Sequence, residues 1–434
     1  MARLWLVILL AGLLLPQLAR AASDWEELLR AGSRLMEAGR LDEAEAVLGR
    51  ALKAVGGGEL ALRRKALTLN DLGILAARAG RLEEAYARLD EARKILEALG
   101  AGARSRLVAV LVNLGEVLRR LGRLEEAEAR LVRALELGER SGADHPGTQQ
   151  ARLALALVLE RRGEAERASE LAATAVQAFT RTLGAVHPRT LDARRTLARL
   201  LRSQGREEEA IAVLREAALA DDLPAEPAVP LLADLAHLLR RSGALEEAVE
   251  VLRRARQLQL AAAGADHPRS RRLANDLGVL LKERGALAEA RRLLEEAVGA
   301  PDHPERPLYL ANLAAVLAAL GEYEAAGARL DAALELLQAD SEPDPLLLAR
   351  VRNDRAVVLF ALGSWQEALA ESDAALAAAE RALGAADPAL LPYLGTRRAL
   401  LEALDQGEQV RAVDRRMAAL RERLVDRVAP AAGP

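Results

Sequence analysis

Ten glycines recur along the chain at nearly constant spacing: Gly39, Gly80, Gly122, Gly163, Gly205, Gly243, Gly285, Gly321, Gly363 and Gly407. Successive intervals are 41, 42, 41, 42, 38, 42, 36, 42 and 44 residues. Alanine stands five residues after every one, from Ala44 to Ala412, and again twelve residues after, from Ala51 to Ala419. Seven residues before the glycine the residue is Gly32, Gly73, Gly115 or Gly278, or else Ala156, Ala198, Ala236, Ala314 or Ala356. Only the tenth unit breaks this rule, with Leu400. A period in this range, carried from one end to the other, restricts the chain to an array of stacked supersecondary units.

The stretch Leu107–Leu135 shows what one unit is. Leu111, Leu114 and Leu118 form an apolar stripe before Gly122, and Leu124, Ala127, Leu131 and Ala134 form another after it. Both have helical period. Gly122 fits the left-handed end of a first helix, A, and the small residues mark where a second helix, B, crosses close to A. Neither helix can bury its stripe alone, so each unit needs neighbours. Substituting Gly115 by Leu is expected to disturb this packing, whereas Arg120 is expected to be a surface group.

Composition agrees with long amphipathic helices. Of 434 residues, 51% are hydrophobic but only 2% aromatic, which disfavours β-sheet. The formal net charge of −3 gives no global attraction to nucleic acid, and base-stacking aromatics are scarce. The chain has no cysteine, so neither a disulfide framework nor a lipid-modified cysteine is available. Residues 1–21 read as a secretory signal peptide: Arg3, an apolar run from Leu4 to Leu15, Pro16, and Ala19-Arg20-Ala21 as the cleavage site. The run is short for a bilayer span, so no stable span is expected after processing, and the location expected is extracytoplasmic, periplasmic or secreted. Residues 22–425 are expected to form the repeat array, nine full units with a degenerate tenth as a polar cap, and 426–434 a disordered tail.

The array has irregular joints. Residues 221–230 and 301–307 are proline-rich and coincide with the shortened intervals. They are expected to shorten helices without marking a domain boundary. Four of the five histidines precede proline at one repeat position: His145, His187, His267 and His303. There His accepts hydrogen bonds from the first helical amides while Pro suits the first turn. Repeats about 10 Å apart cannot share a metal among such histidines, so no metal and no cofactor are expected. His237 is expected to face solvent and Trp365 to pack in the core. Acidic pairs such as Glu125-Glu126 open B helices, where negative charge is favoured. No HExxH, GxSxG, P-loop or dinucleotide-binding motif is present, and no enzyme is expected.

Leu114-Gly115, Ala127 and Ala134, and likewise Leu72-Gly73, Ala85 and Ala92, resemble the tetratricopeptide repeat. The long period, the His-Pro steps and the A-helix residues Asn70, Asn113, Asn275, Asn312 and Asn353 resemble its kinesin-light-chain type. The resemblance covers roughly residues 24 to 420 and implies an all-α, right-handed α-solenoid of helix-turn-helix repeats. It also implies that A helices line a concave groove, with positions two, three, six, nine and ten before the glycine pointing inward.

Candidate groove residues follow from that register. Asn70, Asp71, Asn113, Asn275, Asp276, Asn312, Asn353 and Asp354 present amides and carboxylates able to grip an extended peptide backbone. Arg119, Arg120, Arg161, Arg195, Arg199, Arg202, Arg240 and Arg241 present forks that suit carboxylates. The expected function is a protein-interaction scaffold holding a peptide or protein segment, acidic in character, with no nucleic acid partner. Two rival readings are an extracytoplasmic assembly factor acting through the convex face or the termini, and an α/α-toroid glycan-processing enzyme. The second conflicts with the scarcity of aromatics for sugar stacking. The oligomeric state is not encoded legibly.

Overall fold

A computed structural model describes residues 24–428 except 143, 221 and 300–302; the expected leader, residues 1–21, lies outside the described residues. Helix follows helix, and no strand occurs among the described residues. The chain forms two compact units divided at Pro227.

The first unit holds five helix pairs. They are α1 (24–37) with α2 (Leu41–Lys53), α3 (Gly58–Arg78) with α4 (Leu82–Ala98), and α5 (Arg104–Arg120) with α6 (Leu124–Glu139). Then come α7 (Pro146–Arg161) with α8 (Ala165–Leu183), and α9 (Pro188–Ser203) with α10 (Glu207–Ala218). The second unit holds α11 (Ala225–Arg241) with α12 (Leu245–Ala263), α13 (Pro268–Glu283) with α14 (Leu287–Val298), and α15 (Arg306–Ala319) with α16 (Tyr323–Ala339). It ends with α17 (Pro345–Ala361) and α18 (Trp365–Leu383), then α19 (Leu391–Ala403) and α20 (Gly407–Val428). Helix α20 runs three residues into the stretch expected to be a disordered tail, and 429–434 lie outside the described residues.

The glycine code works sterically. Gly122 has φ +77°, its amide bonds Arg119 O at 3.2 Å, and the Arg123 amide bonds Leu118 O at 2.9 Å. This pair of bonds closes the A helix in a Schellman turn, and helix B starts two residues after the glycine. Ala127 and Ala134 are fully buried, as are their counterparts throughout the first nine repeats. The A helices α3, α5, α7, α9, α13, α15, α17 and α19 each pack on their own B helix, and A helices also touch the next A helix, as α5 does α3 and α7, and α15 does α13 and α17. Within each unit the A helices therefore form one continuous layer.

The tenth repeat corrects the sequence register. The left-handed residue there is Asp405, φ 57°, and α20 begins two residues later, at Gly407 itself. Asp405 restores a 42-residue interval from Gly363. Ala412 and Ala419 are accordingly exposed, while Val413, Met417 and Leu420 are buried.

The proline-rich links do shorten helices: α10 and α14 have 12 residues each, against 19 in α8 and α12. Among the described residues between Ala218 and Ala225 no helix forms, and the division of the chain after Pro227 falls within the proline-rich stretch 221–230, where no boundary is expected from sequence. Nor do the prolines exclude helix. Pro227 lies in the first turn of α11, where amides have no intrahelical acceptor to lose, and Pro230 stands inside the helix one turn on, where the bond to the Glu226 carbonyl is forgone.

The His-Pro steps form a recurring knot. Nδ1 of His145, His187, His267 and His303 accepts from the amide two residues on, at 3.1–3.2 Å. In three of them a hydroxyl ties the step back: Thr148, Thr190 and Ser270 donate to the carbonyls of Gly142, Gly184 and Gly264.

Candidate functional site

The inward asparagines bond to one another across repeats. In the first unit Asn113 Nδ2, on α5, donates to Asn70 Oδ1, on α3, at 2.8 Å. Asn70 Nδ2 in turn donates to the Asp71 carboxylate at 3.2 Å. The second unit repeats this arrangement with the same distances: Asn312 donates to Asn275 at 2.8 Å, and Asn275 to Asp276 at 3.2 Å. It adds one bond, from Arg350 Nη2 to Asn312 Oδ1 at 2.7 Å. Asn353 stands apart, its Oδ1 buried without a hydrogen-bond partner among the described residues.

Asp71, Asp276 and Asp354 occupy one repeat position, nine before the glycine. Burial pushes all three carboxyls above the ordinary aspartate range. The Asn70 and Asn275 amides offset this at Asp71 and Asp276, and Arg350 offsets it at Asp354.

The arginines divide by what they already hold. Arg119 is forked onto Glu116 and Arg240 onto Glu283, and Arg199 Nη1 donates to both oxygens of Glu160. Arg120 donates to Ala77 O at 2.7 Å, and Arg78 likewise to Met36 O at 3.0 Å. This is a staple from one repeat to the last turn of the previous A helix, whose carbonyls need donors. Arg195 lies 4.0 Å from Asp192, and Arg241 is exposed with partners of its own. Arg161 and Arg202 are exposed and show no ion pair among the described residues.

In the second unit the A-helix layer encloses a cavity of about 460 Å³. Its walls include Asn275, Asp276 and Asn312, with His237, Arg272 and Arg350. His237 is exposed as expected, yet it faces this cavity. Sequence reasoning also missed Arg272, Lys282 and Arg350 as lining residues; the repeat register offered a signal only for Lys282, three before Gly285. Trp365 departs from its expected core role: it is 42% exposed, its ring 6.4 Å from that of Phe360, because it sits at the turn between α17 and α18. No group of His, Asp or Glu able to hold a metal ion occurs among the described residues. Among them, too, no helix is long and apolar enough to cross a membrane.

A stack of such helix pairs, with small residues at fixed crossings, defines an α-solenoid repeat protein. The tetratricopeptide-repeat family model matches residues 106–176, 149–218, 228–302 and 305–381, and a second such model matches 66–91, so the chain belongs to the tetratricopeptide repeat family. No curated protein matches it in sequence. Among solved structures, the apo form of RapI superimposes with a TM-score of 0.62 at 13% identity, covering 83% of this chain and 98% of its own. The quorum sensor NprR from B. thuringiensis gives 0.49 at 16% identity, covering 83% and 99%. Nearly identical kinesin-light-chain TPR-like repeats from Podosopora anserina give 0.40 at 24% identity, covering 46% and 99%. RapI shares the fold; these likenesses do not reach a ligand.

Proposed function

We propose that this protein is an exported, non-catalytic scaffold whose A-helix layer holds an extended protein segment. The observation that carries the reading is the amide relay between successive A helices, Asn113 to Asn70 and Asn312 to Asn275. Such amides keep a spare donor each, and several nearby acceptors are uncommitted, as an extended backbone requires. Arg161 and Arg202 add uncommitted positive charge to the face, which favours acidic side chains on the segment. Export rests on residues 1–21; fractionation of cells expressing the chain with and without them tests it. For the groove, crosslinking in the native compartment should recover a partner that the double variant Arg161→Glu, Arg202→Glu loses. Equal recovery by both proteins would overturn the groove reading.

One observation favours a second reading, an assembly factor. Phe360, Leu362 and Trp365 are exposed together at the α17–α18 turn. Light scattering on wild type and Trp365→Ala tests it, since self-association through this turn should disappear in the variant.

A further inference from the structure

The two units carry the same three-residue constellation, and in the second an arginine occupies its terminal amide oxygen. In the second unit a guanidinium, that of Arg350, donates to Asn312 Oδ1 at 2.7 Å and lies 3.7 Å from the Asp354 carboxylate. The repeat register places Gln150 where Arg350 stands, and Gln150 is exposed with no bond to Asn113. No donor reaches Asn113 Oδ1 among the described residues, and Asn70 links the Asn113 amide to the Asp71 carboxylate.

The cations nearest in sequence to Asp71 are committed elsewhere. Arg64, two turns earlier on α3, lies over the Trp25 ring at 5.2 Å. Lys65 pairs with Glu91 at 2.6 Å, and Arg78 staples Met36 O. On α5, Arg119 is forked onto Glu116. Asp276 and Asp354 both feel a neighbouring arginine, whereas only the Asn70 amide counters the burial of Asp71. A partly buried carboxylate without a cation is costly, and a guanidinium is the group whose flat fork matches a carboxylate and an adjacent amide oxygen.

We infer that Asp71 and Asn113, linked by Asn70, form a receptor for an arginine side chain of the bound partner; in the second unit Arg350 shows a guanidinium on the matching amide oxygen, Asn312 Oδ1, with Asp354 as its carboxylate. This rests on the reading of the A-helix layer as the binding surface and specifies one residue of its ligand. The segment then carries an arginine opposite α3 and α5, and acidic residues further along opposite Arg161 and Arg202.

The test uses the full chain and N-acetyl-arginine amide as probe, followed by saturation-transfer NMR, with N-acetyl-citrulline amide as the uncharged isostere. Wild type should bind the arginine probe, and Asp71→Asn and Asn113→Ala should each weaken it by about tenfold or more. Glu125→Gln, at an exposed carboxylate in the first turn of α6, should leave that affinity unchanged. Arg350→Ala should add a second site for the probe, one that Arg350→Ala, Asp354→Asn weakens. Equal binding of citrulline and arginine, or wild-type affinity in both Asp71→Asn and Asn113→Ala, would overturn the inference. The probe titration needs no partner, so the receptor can fail while the groove reading survives, and the reverse.

Discussion

A Cβ built on Gly115 would lie 2.5 Å from Leu131 Cγ and 2.8 Å or less from both its methyl carbons. Leu131 is fully buried, so it has nowhere to retreat. The same clash recurs between Gly32 and Leu48, Gly73 and Leu89, and Gly278 and Leu294. In the fourth repeat both partners are alanines, Ala156 and Ala172. Gly115→Ala should therefore cost about 1–3 kcal/mol through overpacking, and Gly115→Leu more. Urea unfolding with Gly115→Ala, Leu131→Ala and the double variant gives the check: the double should lose less than the sum of the singles. Strict additivity would mean that the two side chains do not meet.

This contact was legible in sequence because it depends on small residues at fixed spacing, and the helix period converts spacing into faces. What was not legible depends on reach. Arg120 has the register of a groove residue, but its long side chain extends to the previous repeat and binds Ala77 O. Arg350 lies outside the inward positions read from the register, yet it meets Asn312 in the next repeat back. The tenth repeat misled for a different reason. Asp405 adopts the left-handed turn that glycine takes elsewhere, so Gly407 drew the register two residues too far. Asn and Asp tolerate that conformation better than other side-chain-bearing residues, and composition alone does not reveal which site uses it.

Arg120→Glu should cost stability as well as alter binding. It removes the donor that satisfies Ala77 O at the end of α3 and puts negative charge against a helix C-terminus. A loss of about 1 kcal/mol is expected, against about zero for Arg202→Glu, whose side chain holds nothing among the described residues. Thermal melts of the two variants side by side decide it; equal melting temperatures would remove the staple from the account.

The histidine caps make a prediction about interchangeability. Asp344 and Asp387 take the same cap place as His267, directly before proline, and accept from the amides of Leu346 and Ala389 at 2.9 Å. His267→Asp should consequently fold as wild type does, while His267→Ala should cost about 1 kcal/mol by leaving the Arg269 amide without its acceptor. Faster hydrogen exchange at the start of α13 in the alanine variant alone is the expected pattern. Equal exchange in the two variants would show that the ring packs there and does not cap.

The buried aspartates should make stability respond to pH in an unusual direction. Burial holds the Asp71 carboxyl above the ordinary aspartate range, so the folded chain binds this proton more tightly than the unfolded chain. Stability from this group is then fully present below the ordinary value and falls as pH rises to the raised one. At neutral pH the ionised Asp71 is a net cost. Glu216, held low by hydrogen bonds from Arg194, acts in the opposite direction, so only the difference between variant and wild type is diagnostic. Asp71→Asn should raise the melting temperature at pH 7, and the gain should shrink as pH falls through the raised range toward the ordinary aspartate value. A lower melting temperature for Asp71→Asn at pH 7 would mean that the carboxylate already has a stabilising partner inside the fold. A carboxylate kept at a cost in stability, on the face proposed to bind, is what a cation receptor requires of its empty state.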